Sequence, residues 1–161
     1  MDNIEFIVLI GSKIQSNYIE QYIELNSSEY PKFTREIKYG SFKNFLSKNE
    51  NLKVIIATSE DKLIGWLMIS FAERQGLYHF NMLVHRDFQR KGIGSKLLLN
   101  AKQHYNELYG VVVPVNRYKR RDGTQYHSPL EFYKQNGFTL TGKKFVEYRD
   151  VTMLEIKWTN K

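Results

Sequence analysis

Apolar residues recur along this chain in two periods, and the switches between those periods divide it into elements. Residues 4–10 form a nearly unbroken apolar run that reads as an opening strand. Tyr18, Ile19, Tyr22 and Ile23 then fall on one helical face, with Ser12 and Gln15 spaced as a capping box ahead of it. Pro31 interrupts the chain, and Ser41 followed by Phe42, Phe45 and Leu46 predicts a second, short helix. Residues 52–58 and 62–71 are β-rich runs separated by the polar turn Ser59-Glu60-Asp61, the pattern of a hairpin. Residues 77–85 alternate, with Tyr78, Phe80, Met82 and Val84 on one face and His79, Asn81, Leu83 and His85 on the other.

At Gly92 the period changes again. Ile93, Leu97, Leu98, Ala101, Tyr105 and Leu108 repeat near 3.6 residues, which predicts a helix over 92–108 laying one stripe against a sheet. Residues 109–115 read as a buried strand. Ser128, Pro129 and Glu131 supply a cap, a first-turn proline and an acidic residue for a further helix, which Gly137 stops. Residues 138–158 have strand composition with a turn near 148–150. The order β-α-α-β-β-β-α-β-α-β-β predicts an α/β fold, a mixed sheet with helices on its faces.

Composition narrows this further. With 161 residues, 42% of them hydrophobic, and no repeat or linker-like tract, a single domain is expected. The absence of cysteine excludes disulfides, thiolate metal sites and a cysteine nucleophile. The opening apolar stretch is too short for a membrane span and lacks a signal peptide's basic lead and cleavage site, so a soluble, cytoplasmic protein with no membrane partner is expected. A net charge of +7 favours anionic partners, whether nucleotide phosphates, nucleic acid or a membrane surface. No Gly-x-Ser-x-Gly elbow appears and the four histidines show no metal-ligand spacing, so neither a serine hydrolase nor a metal site is expected.

The most informative chemistry lies where residues 77–85 give way to Gln89-Arg90-Lys91-Gly92-Ile93-Gly94 at the mouth of the helix. First-turn N–H groups are unpaired and carry partial positive charge, so an anion fits there. Glycines at 92 and 94 remove β-carbons that would hold a pyrophosphate away, and Arg90 and Lys91 add charge. A third glycine and the Gly-Lys-Ser/Thr ending are both missing, which excludes the dinucleotide and P-loop fingerprints.

The run from Leu83 through Leu98 resembles the acetyl-CoA segment of the GNAT N-acyltransferases, except that Arg86 stands where proline is commonest. The resemblance implies a mostly antiparallel twisted sheet with helices on both faces. It also implies that Gln89 and the backbone from Arg90 through Ser95, with Lys91, Gly92, Ile93 and Gly94 between them, hold the pyrophosphate of acetyl-CoA. Met82, Leu83 and Val84 would line the pantetheine arm and the thioester carbonyl. A second segment, Tyr133 four residues before Gly137-Phe138, resembles the family's second signature, which assigns Tyr133 as the acid protonating the departing thiolate. A tyrosine near its reference pKa of about 10 can donate to a thiolate of about 8.5 if it lies within reach.

The family's pantetheine-binding asparagine is replaced here by Tyr126, which leaves Asn116 as the candidate for that contact. Between them, residues 117–125 read as an inserted basic loop with an Asp-Gly turn, suited to a ribose phosphate, an acidic substrate, RNA or solvent. The resemblance implies direct attack by an amine in a ternary complex. Glu73 is the first candidate for the base, with His79 and His85 behind it. The acceptor stays open between a small-molecule or peptide amine and aminoacyl-tRNA, and a non-catalytic acyl-CoA-binding regulator is the remaining alternative. A monomer or a homodimer is expected.

Overall fold

The computed structural model describes residues 3–32, 34–146 and 151–161. Strand β1 (Ile4–Ile10) is followed by helices α1 (Ser16–Glu29) and α2 (Tyr39–Lys48), then by strands β2 (Lys53–Ser59), β3 (Lys62–Ala72) and β4 (Leu77–Val84). Helix α3 (Ile93–Lys102), strand β5 (Glu107–Val112), helix α4 (Leu130–Gln135), and strands β6 (Thr139–Val146) and β7 (Thr152–Thr159) complete the order. The seven strands form one sheet in the order β1-β2-β3-β4-β5-β7-β6, and every neighbouring pair is antiparallel except β4 and β5. The fold is therefore the mixed, mostly antiparallel α/β sheet with helices on both faces.

Strand alternation sorts the core onto the two faces. Ile55, Leu67, Ile69 and Phe80 join Ile93, Leu97, Leu98 and Ala101 of α3 and Tyr133 of α4 on one side. Val54, Ile56, Trp66 and Leu83 join Ile19, Tyr22, Phe42 and Leu46 of α1 and α2 on the other. Tyr22 stacks on Trp66 with ring centroids 4.3 Å apart, so α1 is seated by a rigid aromatic pair.

Several element ends depart from the sequence expectation. Ser12 lies in a 3-10 turn, Gly11–Lys13, pinned by the Gly11 N–H to Leu52 O bond of 2.8 Å. The capping box does not form, and the Gln15 carbonyl takes the first helical bonds of α1. The third helix stops at Lys102. Leu108 is buried in β5 opposite Trp158, and Tyr105 packs on Tyr78 in the connection at 4.8 Å. Their spacing matched the helical stripe, but the β7 ladder claims this segment. Helix α4 starts one residue later than expected, with Pro129 as its cap, although Ser128 Oγ still accepts the Leu130 N–H at 3.3 Å. The turn expected near 148–150 lies outside the described residues.

Candidate functional site

Strands β4 and β5 share one register pair, His79 with Tyr109. Past it they are unpaired, and a cleft of about 260 Å³ opens between Phe80, Asn81 and Met82 on one side and Val111 and Val113 on the other. Because successive β4 residues face opposite sides, the cleft joins the two faces of the sheet: Phe80 and Met82 belong to the α3 face, Asn81 to the α1 face. Tyr133 of α4 and Met153 of β7 close it on the inside, and Asn26, Tyr30, Thr34, Arg35 and Ile37 wall the α1 side. A larger groove of about 580 Å³ lies on the outer side of α1 between Glu20, Glu24, Tyr39 and Asp122. It does not include Tyr133, which lines the smaller cleft.

Tyr133 is only 5% exposed. Its ring meets Phe80, Phe132 and Phe138 edge-on, with centroids 5.7, 5.2 and 5.5 Å away. Burial pushes its hydroxyl well above the ordinary tyrosine value, and neighbouring Tyr126 adds to the shift. The hydroxyl therefore keeps its proton at neutral pH and can act as a donor, not as a base. A thiolate entering the same dry cleft would be raised too, which narrows the gap between the two groups.

The turn into α3 has the geometry that an anion site needs. Gly92 caps the helix at φ 81°, a left-handed conformation that strains any residue with a β-carbon, and no atom lies within 4 Å of where its Cβ would be. Arg90 is held at φ 61° beside it. Gln89 Nε2 donates to Val84 O at 3.0 Å and fastens the turn to the end of β4, while Lys91 Nζ sits 5.1 Å over the Phe88 ring. Among the described residues, the N–H groups of Arg90, Lys91 and Gly92 donate to no backbone acceptor. These groups fit a pyrophosphate.

Gly94 also has a packing role that its spacing does not reveal. A Cβ there would come within 2.9 Å of Phe132 Cζ and 3.5 Å of Met82 Cε, so this glycine lets α4 approach α3. Gly94→Ala is expected to cost about 1–3 kcal/mol by overpacking. Thermal melts with and without acetyl-CoA would show the loss in both states.

Ile93 is buried in the core and can offer only backbone, and Ser95 is exposed on the first turn of α3. Met82 and Val84 pack on the α3 face, but the Leu83 side chain turns into the α1–α2 core. Asn116 does not line the cleft. Its Oδ1 accepts the Ser128 N–H at 2.7 Å and its carbonyl accepts from Gln125, so it closes the base of the inserted loop.

Glu73 is not brought to the cleft. It sits exposed in the turn between β3 and β4, five residues beyond Met68, which pairs with Asn81. That places it roughly 16 Å along the strand. His79 lies beside Tyr109 with its pKa lowered by burial, and His85 Nδ1 accepts the Asp87 N–H at 3.2 Å. Neither histidine lines the cleft, whose described walls hold no carboxylate and no imidazole.

The inserted loop is a small hairpin, bridged at Lys119 and Gln125 and turned by Gly123 at φ 84°. Two of its three arginines, Arg120 and Arg121, turn inward onto the end of α1, where Arg86 joins them, while Arg117 stays exposed beside Tyr118. Arg121 donates to Ser27 O at 2.8 Å, Arg120 to Glu29 O at 3.2 Å, and Arg86 to Ser28 O at 2.9 Å. Three guanidinium groups thus satisfy the last carbonyls of one helix, at its negative pole. Glu29, 5% exposed, lies 2.9 Å from Arg86 Nε and 3.7 Å from Arg120 Nε. Arg86 also reaches Asp122 at 2.8 Å. The two departures from the family pattern, Arg86 and the insertion, are therefore partners.

The family profile described as an acetyltransferase (GNAT) domain matches residues 50–140, more than half of the chain. Among solved structures, a GNAT-family acetyltransferase from Streptococcus pneumoniae is similar at 16% identity and a TM-score of 0.64, covering 98% of this chain and 100% of that one. An acyl-CoA N-acyltransferase from Pseudomonas aeruginosa is similar at 12% identity and a TM-score of 0.66, covering 98% and 100%. An aminoglycoside 6'-N-acetyltransferase complexed with coenzyme A is similar at 13% identity and a TM-score of 0.64, covering 95% and 96%. At these identities the likeness shows the fold. No curated protein sequence matches the chain.

Proposed function

Because the chain belongs to the GNAT acetyltransferase family, whose cofactor is acetyl-CoA, we propose that it acetylates a primary amine of a small molecule or peptide by direct attack in a ternary complex. The cleft through the sheet carries this reading, since it opens the α3 side to the α1 side beside Tyr133. Bound acetyl-CoA would supply the acetyl thioester. Arg90, Lys91, Gly92 and the first turn of α3 would hold its pyrophosphate, and Met82 and Val84 would line the approach to the cleft. The cleft's described walls contain no cysteine, serine, histidine or carboxylate to carry the acetyl group, which supports direct transfer. They also hold no carboxylate or imidazole to act as a base, so the amine must enter neutral.

Two observations weigh against the other readings. Arg86, Arg120 and Arg121 are spent on α1, which removes three charges from any face for tRNA. Tyr133 lines the cleft with its proton retained, and the proposed role of that proton is one a purely regulatory binder would not need.

Thermal unfolding tests the cofactor first. Acetyl-CoA at a hundred times its Kd should stabilise by about 2.7 kcal/mol, roughly 5–11 °C for a chain of this size. The absence of any shift at millimolar ligand would overturn the cofactor assignment. Turnover is then followed as released CoA thiol with kanamycin, spermidine and a lysine-containing peptide. The protein has no cysteine to react with the thiol reagent. Binding without turnover on any of these amines would defeat the amine reading.

A further inference from the structure

We infer that Asn81 is the positioning residue for the acceptor: its side-chain Oδ1 takes a hydrogen bond from an N–H of the neutral amine and turns the nitrogen lone pair toward the Tyr133 side of the cleft. This rests on the amine-acetyltransferase reading above.

The inference begins from an unpaired atom. Asn81 Oδ1 is buried and has no hydrogen-bond partner among the described residues, yet its residue lines the cleft. Buried side-chain acceptors are nearly always paired, and one left open in a functional cleft is explained when a ligand completes it. The other end of the same amide is fixed. Asn81 Nδ2 donates to Tyr22 Oη at 3.0 Å, and that oxygen also accepts from Asn26 Nδ2 at 3.5 Å. With Nδ2 turned to Tyr22, Oδ1 is the free end of the amide.

The anchor is firm. Tyr22 is fully buried and stacked on Trp66 and Phe42 at 4.3 and 5.0 Å. Burial pushes its hydroxyl up to about 12, so it remains neutral throughout the working pH range.

The side of the sheet selects the ligand. Asn81 faces α1, whereas Met82 and Phe80 face α3, so Oδ1 addresses what enters from the side opposite the pyrophosphate turn. An unpaired acceptor calls for a donor, and a primary amine has two N–H bonds. The titratable groups that line the cleft are Arg35, Tyr30 and Tyr133, none of which is a carboxylate that would hold an ammonium ion. A neutral amide oxygen therefore suits a neutral amine. As the C–N bond forms and the C–S bond breaks, the electron pair leaves with sulfur. Nitrogen gives one proton to water, sulfur takes one from Tyr133, and Tyr133 recovers its own from water. The N–H held by Asn81 remains as the product amide's.

Asn81→Leu, Asn81→Asp and Tyr22→Phe are compared with the native protein, using whichever of kanamycin, spermidine or the lysine peptide turns over best. Asn81→Leu should lower kcat/KM for the amine about tenfold or more, while the acetyl-CoA-induced rise in Tm stays unchanged. Tyr22→Phe, which loosens the anchor and spares the amide, should lose a few-fold. Asn81→Asp keeps an acceptor and adds charge that favours the ammonium form, so it should regain activity only at higher pH, displacing the rise of the pH profile upward.

Full kcat/KM in Asn81→Leu would overturn the proposal, as would a loss confined to acetyl-CoA binding. If Asn81→Leu proves unstable, Tyr22→Phe and Asn81→Asp decide: native kinetics and an unshifted pH profile in both would also overturn it. Failure of the native protein to acetylate any amine defeats the underlying reading, a result distinct from native turnover that survives Asn81→Leu.

Discussion

Tyr133→Phe is expected to lower kcat by roughly 10²–10³ while leaving acetyl-CoA affinity and fold stability nearly unchanged. The substitution deletes one oxygen and keeps the ring. The contacts of that ring with Phe80, Phe132 and Phe138 are made through its edges and faces, so the packing survives. What disappears is the proton available to the leaving sulfur in a cleft whose described walls offer no histidine or carboxylate in its place.

The pH profile should carry the same signature. Burial holds the Tyr133 hydroxyl above its ordinary value, so its proton is present throughout neutral and moderately alkaline solution. The native rate should therefore climb with pH as the amine loses its own proton, without falling before about pH 10. Steady-state kinetics of both proteins between pH 6 and 10 give the test. An unchanged kcat in Tyr133→Phe would remove the residue from the reaction, and a native profile falling near neutrality would show that a different acid is at work.

The parts of this site that were legible in sequence are those in which local pattern and chemistry coincide. The alternation of β4, the Gln89-to-Gly94 turn and the Tyr133-to-Phe138 spacing each fix a backbone shape within a few residues, and each is found where the pattern placed it. Gly94 was visible as a glycine but not by its cause, because the ring that needs the space belongs to Phe132, far along the chain. Tyr105 and Leu108 continued a helical stripe by coincidence, and pairing with β7 overrode it for Leu108. Glu73 was attractive as a carboxylate near a strand end, but only the register shows which end of the hairpin it occupies. Asn26, Tyr30 and Asn81 converge from α1 and β4, a convergence that no spacing encodes. The inserted loop read as a basic surface because charge is visible in sequence and direction is not.

That loop carries the largest expected effect on stability. Glu29→Ala should destabilise by about 3–5 kcal/mol, or roughly 6–20 °C in Tm, because it leaves Arg86 and Arg120 without their buried carboxylate. Arg86→Pro restores the residue commonest in the family. His85 is already extended at ψ 135°, a conformation that the residue before a proline tolerates. The backbone should therefore accept the change, and the cost should come from Glu29, left with Arg120 alone at 3.7 Å.

Removing both partners should be milder than the sum of the two. In Glu29→Ala with Arg86→Pro no buried carboxylate remains unpaired and only Arg120 keeps an unmatched charge, so part of the loss should be recovered. Acid should act on the hairpin tip in the same direction. Hydrogen bonds from Thr124, then from Arg86, hold the Asp122 carboxyl down to about 2. Its contribution is therefore present above the ordinary carboxylate pKa and is lost as pH falls toward 2. Asn26 and Tyr30, at the same end of α1, wall the cleft, so loosening the clamp should also raise KM for the amine more than it weakens acetyl-CoA. Melts of the two single variants and the double variant decide the matter. Strictly additive losses would mean that Arg86 and Glu29 are neighbours without being a clamp, and that the insertion holds α1 through the carbonyls of Ser27 and Glu29 alone.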